Sequence, residues 1–124
     1  MIFVRLVYAV LGLTAVALAI VVGVRSGGVA WVLVVVFAVA PDLTMLIRDG
    51  TPTVQGQLSP PAVPFYNGVH RLWGPLALLP VAAIVAVAVN QQAWLAAPLA
   101  WLAHVSLDRS LGFGLRTADG FQRP

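Results

Sequence analysis

Six polar residues stand out in a chain that is mostly apolar: Asp42, Tyr66, Asn67, His70, His104 and Asp108. His104 and Asp108 are one helical turn apart, so they project from one face of a helix. Tyr66 and Asn67 stand in the same relation to His70 if that segment is helical. Two imidazoles and two carboxylates offer a ligand set for one zinc, manganese or iron ion. Helical bundles build metal sites this way, with a carboxylate and a histidine about one turn apart on an inward face. Asp42, His70, His104 and Asp108 are therefore the candidate ligands, and Asp42 or Asp108 is the candidate proton acceptor in catalysis. Tyr66 and Asn67 would support the ligands or touch substrate. Arg71 and Arg109, each next to a ligand, would fork onto an anionic headgroup. Each residue alone has a plainer reading. Asp42 after Pro41 caps a short helix, His70 beside Arg71 is an interfacial residue that snorkels to headgroups, His104 hydrogen-bonds a neighbouring helix, and Asp108 is a charge at a helix end. Their joint occurrence is what points to a shared pocket.

The elements that must position these groups are four apolar runs. Leu6 to Val24 is free of charge and bracketed by Arg5 and Arg25. About 20 apolar residues cross a hydrocarbon core of roughly 30 Å. A signal peptide is the rival reading of this first run, but its apolar part is too long and no small-x-small cleavage site follows. The second run is Val29 to Ile47, interrupted by Pro41 and Asp42; the third is Leu72 to Val89, with Pro75 and Pro80; the fourth begins at Ala93 and contains Pro98 and His104. Arg25 to Gly28 and Asn90 to Gln92 are short joints, so each flanking pair forms an antiparallel hairpin. Between the hairpins, Ser59-Pro60-Pro61 is a helix start. It predicts a third helix beginning near Pro60 and running on through His70 to residue 89. The Leu111-Gly112-Phe113-Gly114 run ends the fourth helix, with glycine at its C-terminus. Ala9, Gly12, Ala15 and Ala19 give the first helix small faces for close packing. The expected architecture is an all-α, four-span transmembrane bundle over residues 1–124, with spans near 6–24, 29–47, 60–89 (membrane part 72–89) and 93–114.

Four crossings put Arg5, Arg48, Arg71, Arg109, Arg116 and Arg123 on one side and leave Arg25 alone on the other. By the positive-inside rule both termini are cytoplasmic, with Thr51 inside and Ser26 outside. The candidate ligands then all lie at the cytoplasmic ends of their helices. An ionisable group inside a span is costly and marks a partner or a function.

Composition excludes much else. The 124 residues are 60% hydrophobic and 9% charged, with a mean hydropathy of +0.96; soluble domains carry about 25% charged residues. There is no cysteine, which removes thiol catalysis and zinc-thiolate sites. The arginines are scattered singly between apolar runs, which fits a bilayer and not nucleic acid. No P-loop, dinucleotide fingerprint or nucleophile elbow is present.

Three stretches together resemble a known family: Pro41 to Leu46, Tyr66-Asn67-Gly68-Val69-His70, and Trp101 to Leu115. The family is one of small bacterial four-span proteins catalogued as domain of unknown function 4260. That resemblance implies a compact multi-pass protein of the bacterial inner membrane and no particular activity. More distantly, Pro41-Asp42, His70-Arg71 and His104-x-x-x-Asp108 followed by glycine are similar to membrane-bound metal-dependent hydrolases. In that family a second acid soon follows the Pro-Asp and a further histidine follows the His-Arg. Here Thr44 and Leu72-Trp73-Gly74-Pro75 hold those places, so the similarity implies one ion. The first reading is a metal-dependent hydrolase acting on a lipid or other amphiphile from the bilayer. The alternative is a structural membrane protein whose polar cluster ties helices together. A small dimeric transporter is a third, disfavoured because span one has no acid. A homo-oligomer is compatible with any of them.

Overall fold

In the computed structural model, which describes residues 1–123, the fold is all-helical. It comprises α1 (Ile2–Ser26), α2 (Gly28–Leu43), α3 (Val63–Val69), α4 (Trp73–Ala88) and α5 (Ala96–Leu111). Short 3₁₀ turns at Thr44–Leu46, Pro60–Ala62 and Gln92–Leu95 extend α2 and lead into α3 and α5. α5 is the helix the others enclose. It packs along α1, then α2, then α4, and small residues at Ala96, Ala97, Ala100 and Ala103 let its neighbours approach. The small stripe expected on α1 is its packing face, with Gly12, Ala15 and Ala19 all buried. Gly12 abuts Leu107, where an added Cβ would come within 2.9 Å. The opposite faces carry exposed Leu6, Val10, Leu13, Val32, Val35 and Ile84. A soluble monomer rarely leaves so much contiguous apolar surface uncovered.

α1 and the α2 segment Gly28–Leu46 are each long and apolar enough to cross a membrane. The Pro60–Val69 and Trp73–Ala88 helices meet that test only together, and they are bent by 45°. This corrects the expectation of a continuous helix through His70. The chain breaks at His70, where φ is −95° and ψ 15°. Pro75 contributes to the break: it has no N–H for the carbonyl four residues back, at Arg71, and its ring crowds that carbonyl. The prolines inside α2 and α4, Pro41 and Pro80, leave those helices intact.

The ends of the bundle differ. Arg5 lies beside Gly112, at the junction of α1 and the end of α5. At the other end Arg25 shares a shallow polar depression with Asn90, Gln91 and Gln92. The residues after α5 fold back over the first end. Arg123 N–H donates to Leu115 O and Thr117 N–H to Phe121 O, while Leu58 N–H, from the loop before α3, donates to Gly120 O.

Candidate metal centre

α5 sets the site. Its last turn is closed by a pair of hydrogen bonds, Phe113 N–H to Asp108 O (2.9 Å) and Gly112 N–H to Arg109 O (3.2 Å). That pattern requires the left-handed conformation which Gly112 adopts, at φ 94°. The glycine stop expected from the sequence therefore fixes the turn carrying Asp108, with His104 one turn earlier on the same face.

His104 is aimed by α2. Pro41 has no N–H, so the α2 ladder opens around the Phe37 carbonyl. The neighbouring Ala38 carbonyl faces His104 Nδ1 at 2.8 Å. Asp42, one turn beyond Ala38, points toward the same place. His70 comes from the break between α3 and α4. It is only 2% exposed, its Nδ1 lies 2.9 Å from Tyr66 O, and its ring stacks on Tyr66 with centroids 3.8 Å apart. Trp101 Nε1 donates to Val69 O at 2.7 Å and ties the end of α3 to α5.

The three elements bring the four predicted residues together. His70 Nε2 and His104 Nε2 are 3.2 Å apart. Asp42 Oδ1 lies 3.4 Å from His70 Nε2 and 3.5 Å from His104 Nε2. Asp108 Oδ2 lies 3.7 and 3.5 Å from the same two atoms. No two of these four atoms are more than 4.8 Å apart.

Proton accounting gives this geometry its chemical meaning. A carbonyl oxygen only accepts, so each Nδ1 facing one must carry its proton. In the neutral imidazoles both Nε2 atoms are then lone pairs. Two carboxylate oxygens join them, and four acceptors face one point with no donor among them. Such an arrangement is repulsive unless a cation, a metal or added protons, sits between them. Imidazolium–carboxylate hydrogen bonds are about 2.7–2.9 Å, shorter than the four N···O separations here. A tetrahedral ion with bonds of about 2.0–2.2 Å separates its ligands by about 3.3–3.6 Å, close to the five separations that involve a histidine nitrogen. Histidine bound through Nε2 with Nδ1–H on a backbone carbonyl is also the usual way metal sites orient an imidazole. The donor set fits one divalent ion.

The remaining candidates are placed differently. Tyr66 supports His70 through its carbonyl and its ring. Asn67 does not reach the cluster. Its amide donates to Arg116 O (2.9 Å) and accepts from Arg116 N–H (2.7 Å), clamping the C-terminal segment. Arg109 donates to His70 O (2.8 Å) and Phe113 O (3.1 Å). Its guanidinium is engaged with backbone and holds the chain at His70. Arg71 is exposed, and its side chain has no hydrogen bond or ion pair among the described residues. Of the other acids, Asp49 accepts Thr51 N–H at 2.9 Å in a surface turn, which holds its carboxyl below the ordinary carboxylate range.

The polar cluster closes one end of an apolar groove of about 380 Å³ between α1, α2 and α5. Val16, Ala19 and Ile20 of α1, Val34 and Ala38 of α2, and Ala100, Ala103 and Leu107 of α5 line it, with Asp42, His104 and Asp108 at the polar end. Sequence reasoning missed these apolar residues; the only signal was the one-turn spacing of Val34, Ala38 and Asp42. No curated protein and no solved structure matches the chain. The family model described as domain of unknown function (DUF4260) matches residues 5–124. The chain accordingly belongs to that family, and the His/Asp group that could hold a metal lies within the matched region.

Proposed function

We propose that this protein is a metal-dependent hydrolase of the membrane, with Asp42, His70, His104 and Asp108 holding one divalent ion and an amphiphile lying in the adjoining groove. The observation that carries the reading is the convergence of four lone-pair acceptors after both Nδ1 protons have been committed to backbone carbonyls. When bound, the ion supplies Lewis acidity at the reacting group. The chain's own contribution is orientation and proton transfer. Ala38 O and Tyr66 O lock both imidazole rings, and Arg109 fixes the backbone at His70. Asp42 is the more exposed carboxylate, at 44% against 26% for Asp108, and is the better placed to release the ion and accept a proton. The apolar groove suits an acyl chain entering from lipid, with its polar head at the ion. Two helices of membrane-spanning length and the bent third pair support a multi-pass arrangement. α5 with its 3₁₀ lead-in is about 30 Å long, which is enough for it to serve as the fourth crossing in this reading. Six arginines against one support a topology with both termini and the cluster on the cytoplasmic face of a bacterial inner membrane.

The number of ligands favours a second reading. Four protein ligands fill a tetrahedral shell, as structural ions require, whereas catalytic sites keep a position open. In that case the ion only ties α2, the α3–α4 break and α5 together. Elemental analysis of purified protein, before and after EDTA and on resoaking with zinc, manganese or iron, tests both. One equivalent per chain is expected, lost in H104A. No metal in any of these conditions removes the proposal. Stoichiometric metal without turnover of phospholipid or ester amphiphiles leaves the structural reading.

A further inference from the structure

A second polar pocket, of about 250 Å³, lies between the end of α2, the loop before α3 and the C-terminal segment. Met45, Arg48, Thr53, Gln57, Ser59 and Arg116 are among its lining residues. Three features single it out. It contains two guanidinium groups and no carboxylate. Ser59 is 5% exposed, yet its hydroxyl has no hydrogen-bond partner. Arg116 is held from two sides, by Nη1 donating to Gly56 O at 3.0 Å and by the Tyr66 ring 5.6 Å beneath Cζ. Its buried Nε has no partner. The guanidinium is therefore an immobilised cation, with no hydrogen bond from Nη2 among the described residues. Arg48 likewise has no side-chain hydrogen bond or ion pair among the described residues. A buried donor left unpaired is costly, and a serine hydroxyl in a pocket shared with two arginines is relieved by an oxyanion. Arginine forks match phosphate geometry bidentately.

We infer that this pocket binds a phosphate group, with Arg116 as the fixed fork, Arg48 as the second cation and the Ser59 hydroxyl as a donor. The site is separate from the metal cluster: none of the four ligand residues lines it. A phosphate there also ties the loop before α3 to the C-terminal segment, because Ser59 and Arg116 belong one to each.

Calorimetric titration of inorganic phosphate into detergent-solubilised, EDTA-stripped protein reads the site without any metal. Saturable binding is expected, weakened at least about tenfold in R48Q and several-fold in S59A, and unchanged in R25Q, which removes an exposed arginine at the other end of the bundle. Nanodiscs with and without phosphatidic acid identify the source. Stronger competition by the lipid than by free phosphate assigns a headgroup, and the reverse assigns a soluble phosphate. Binding that disappears on stripping the metal, or that falls equally in R25Q and R48Q, overturns the inference, as does the absence of phosphate binding by folded wild-type protein. H104A keeps phosphate binding, so failure of the metal proposal leaves this result readable.

Discussion

Changing Asp108 to asparagine should separate a metal centre from a hydrogen-bonded cluster, because the two predict opposite effects on the stripped protein. Asp108 Oδ2 sits 3.5 Å from His104 Nε2 and 3.7 Å from His70 Nε2, and with neutral imidazoles all three atoms are acceptors. An amide of the same shape offers N–H to either nitrogen. The metal-free variant is then no less stable than wild type and gains up to about 1 kcal/mol. With metal the order reverses. At a free concentration one hundred times Kd, wild type gains about 2.7 kcal/mol. Losing one ligand of four lowers affinity by about 100-fold or more, so at the same concentration the variant gains about 0.4 kcal/mol. For a chain of this length, a stability change of 1 kcal/mol moves Tm by about 3–5 °C. Wild type should therefore rise about 10 °C on adding metal, and the variant by about 2 °C or less. Thermal unfolding in detergent, with EDTA and with zinc, gives all four values. The metal-induced rise should also shrink on acidification, because protons compete for the same nitrogen lone pairs. If zinc leaves wild type unmoved while Asp108→Asn lowers Tm in EDTA, the cluster is held by protons and the metal reasoning fails.

Two further outcomes follow from the packing. Val34→Trp fills the groove between α1, α2 and α5 without touching a ligand, so metal content should remain at one equivalent. Binding of a fluorescent single-chain amphiphile should fall at least about tenfold, as expected when a pocket is occupied by its own side chain; undiminished amphiphile binding would place the substrate elsewhere. Gly74→Ala puts a Cβ 2.8 Å from the Trp101 ring. That displaces the indole from its bond to Val69 O and should cost about 1–3 kcal/mol in unfolding measurements.

How far the sequence could be read depended on whether a contact is local. His104 and Asp108 share a face because both lie within one uninterrupted helix, and Gly112 announces where that helix stops. Their spacing alone carried that part of the site. The arrival of His70 is a different matter. A single helix running from Pro60 to residue 89 would rotate and tilt His70 with the rest of the span. The break at His70 lets α3 and α4 take separate directions, and it lets the Tyr66 carbonyl and the Arg109 guanidinium set the ring. Pro75 carried the signal, read through the carbonyl it crowds at Arg71, but a proline near a helix start is just as compatible with an unbroken first turn. Asn67 and Arg109 were recognised as polar groups near the ligands, yet their partners are Arg116 and the His70 backbone, 49 and 39 residues away. No periodicity encodes contacts at that separation.

The phosphate pocket was illegible for the same reason, since Ser59 reads as a helix cap and Arg116 as one more cytoplasmic cation. Only the fold places them together and leaves the Ser59 hydroxyl unbonded. A further regularity emerges at this end of the bundle. Every salt-bridge-range contact among the described residues is between histidine and aspartate inside the cluster. No arginine neutralises an acid there. The chain thus keeps its anionic ligands and its cationic forks in adjacent but unmixed sites, one lined by carboxylates and imidazoles, the other by guanidinium groups. If they were merely solvated surface charge they would be free to pair with one another. Their separation on either side of Tyr66, which stacks on His70 and also lies under the Arg116 guanidinium, argues that each site waits for a ligand of opposite charge to its own.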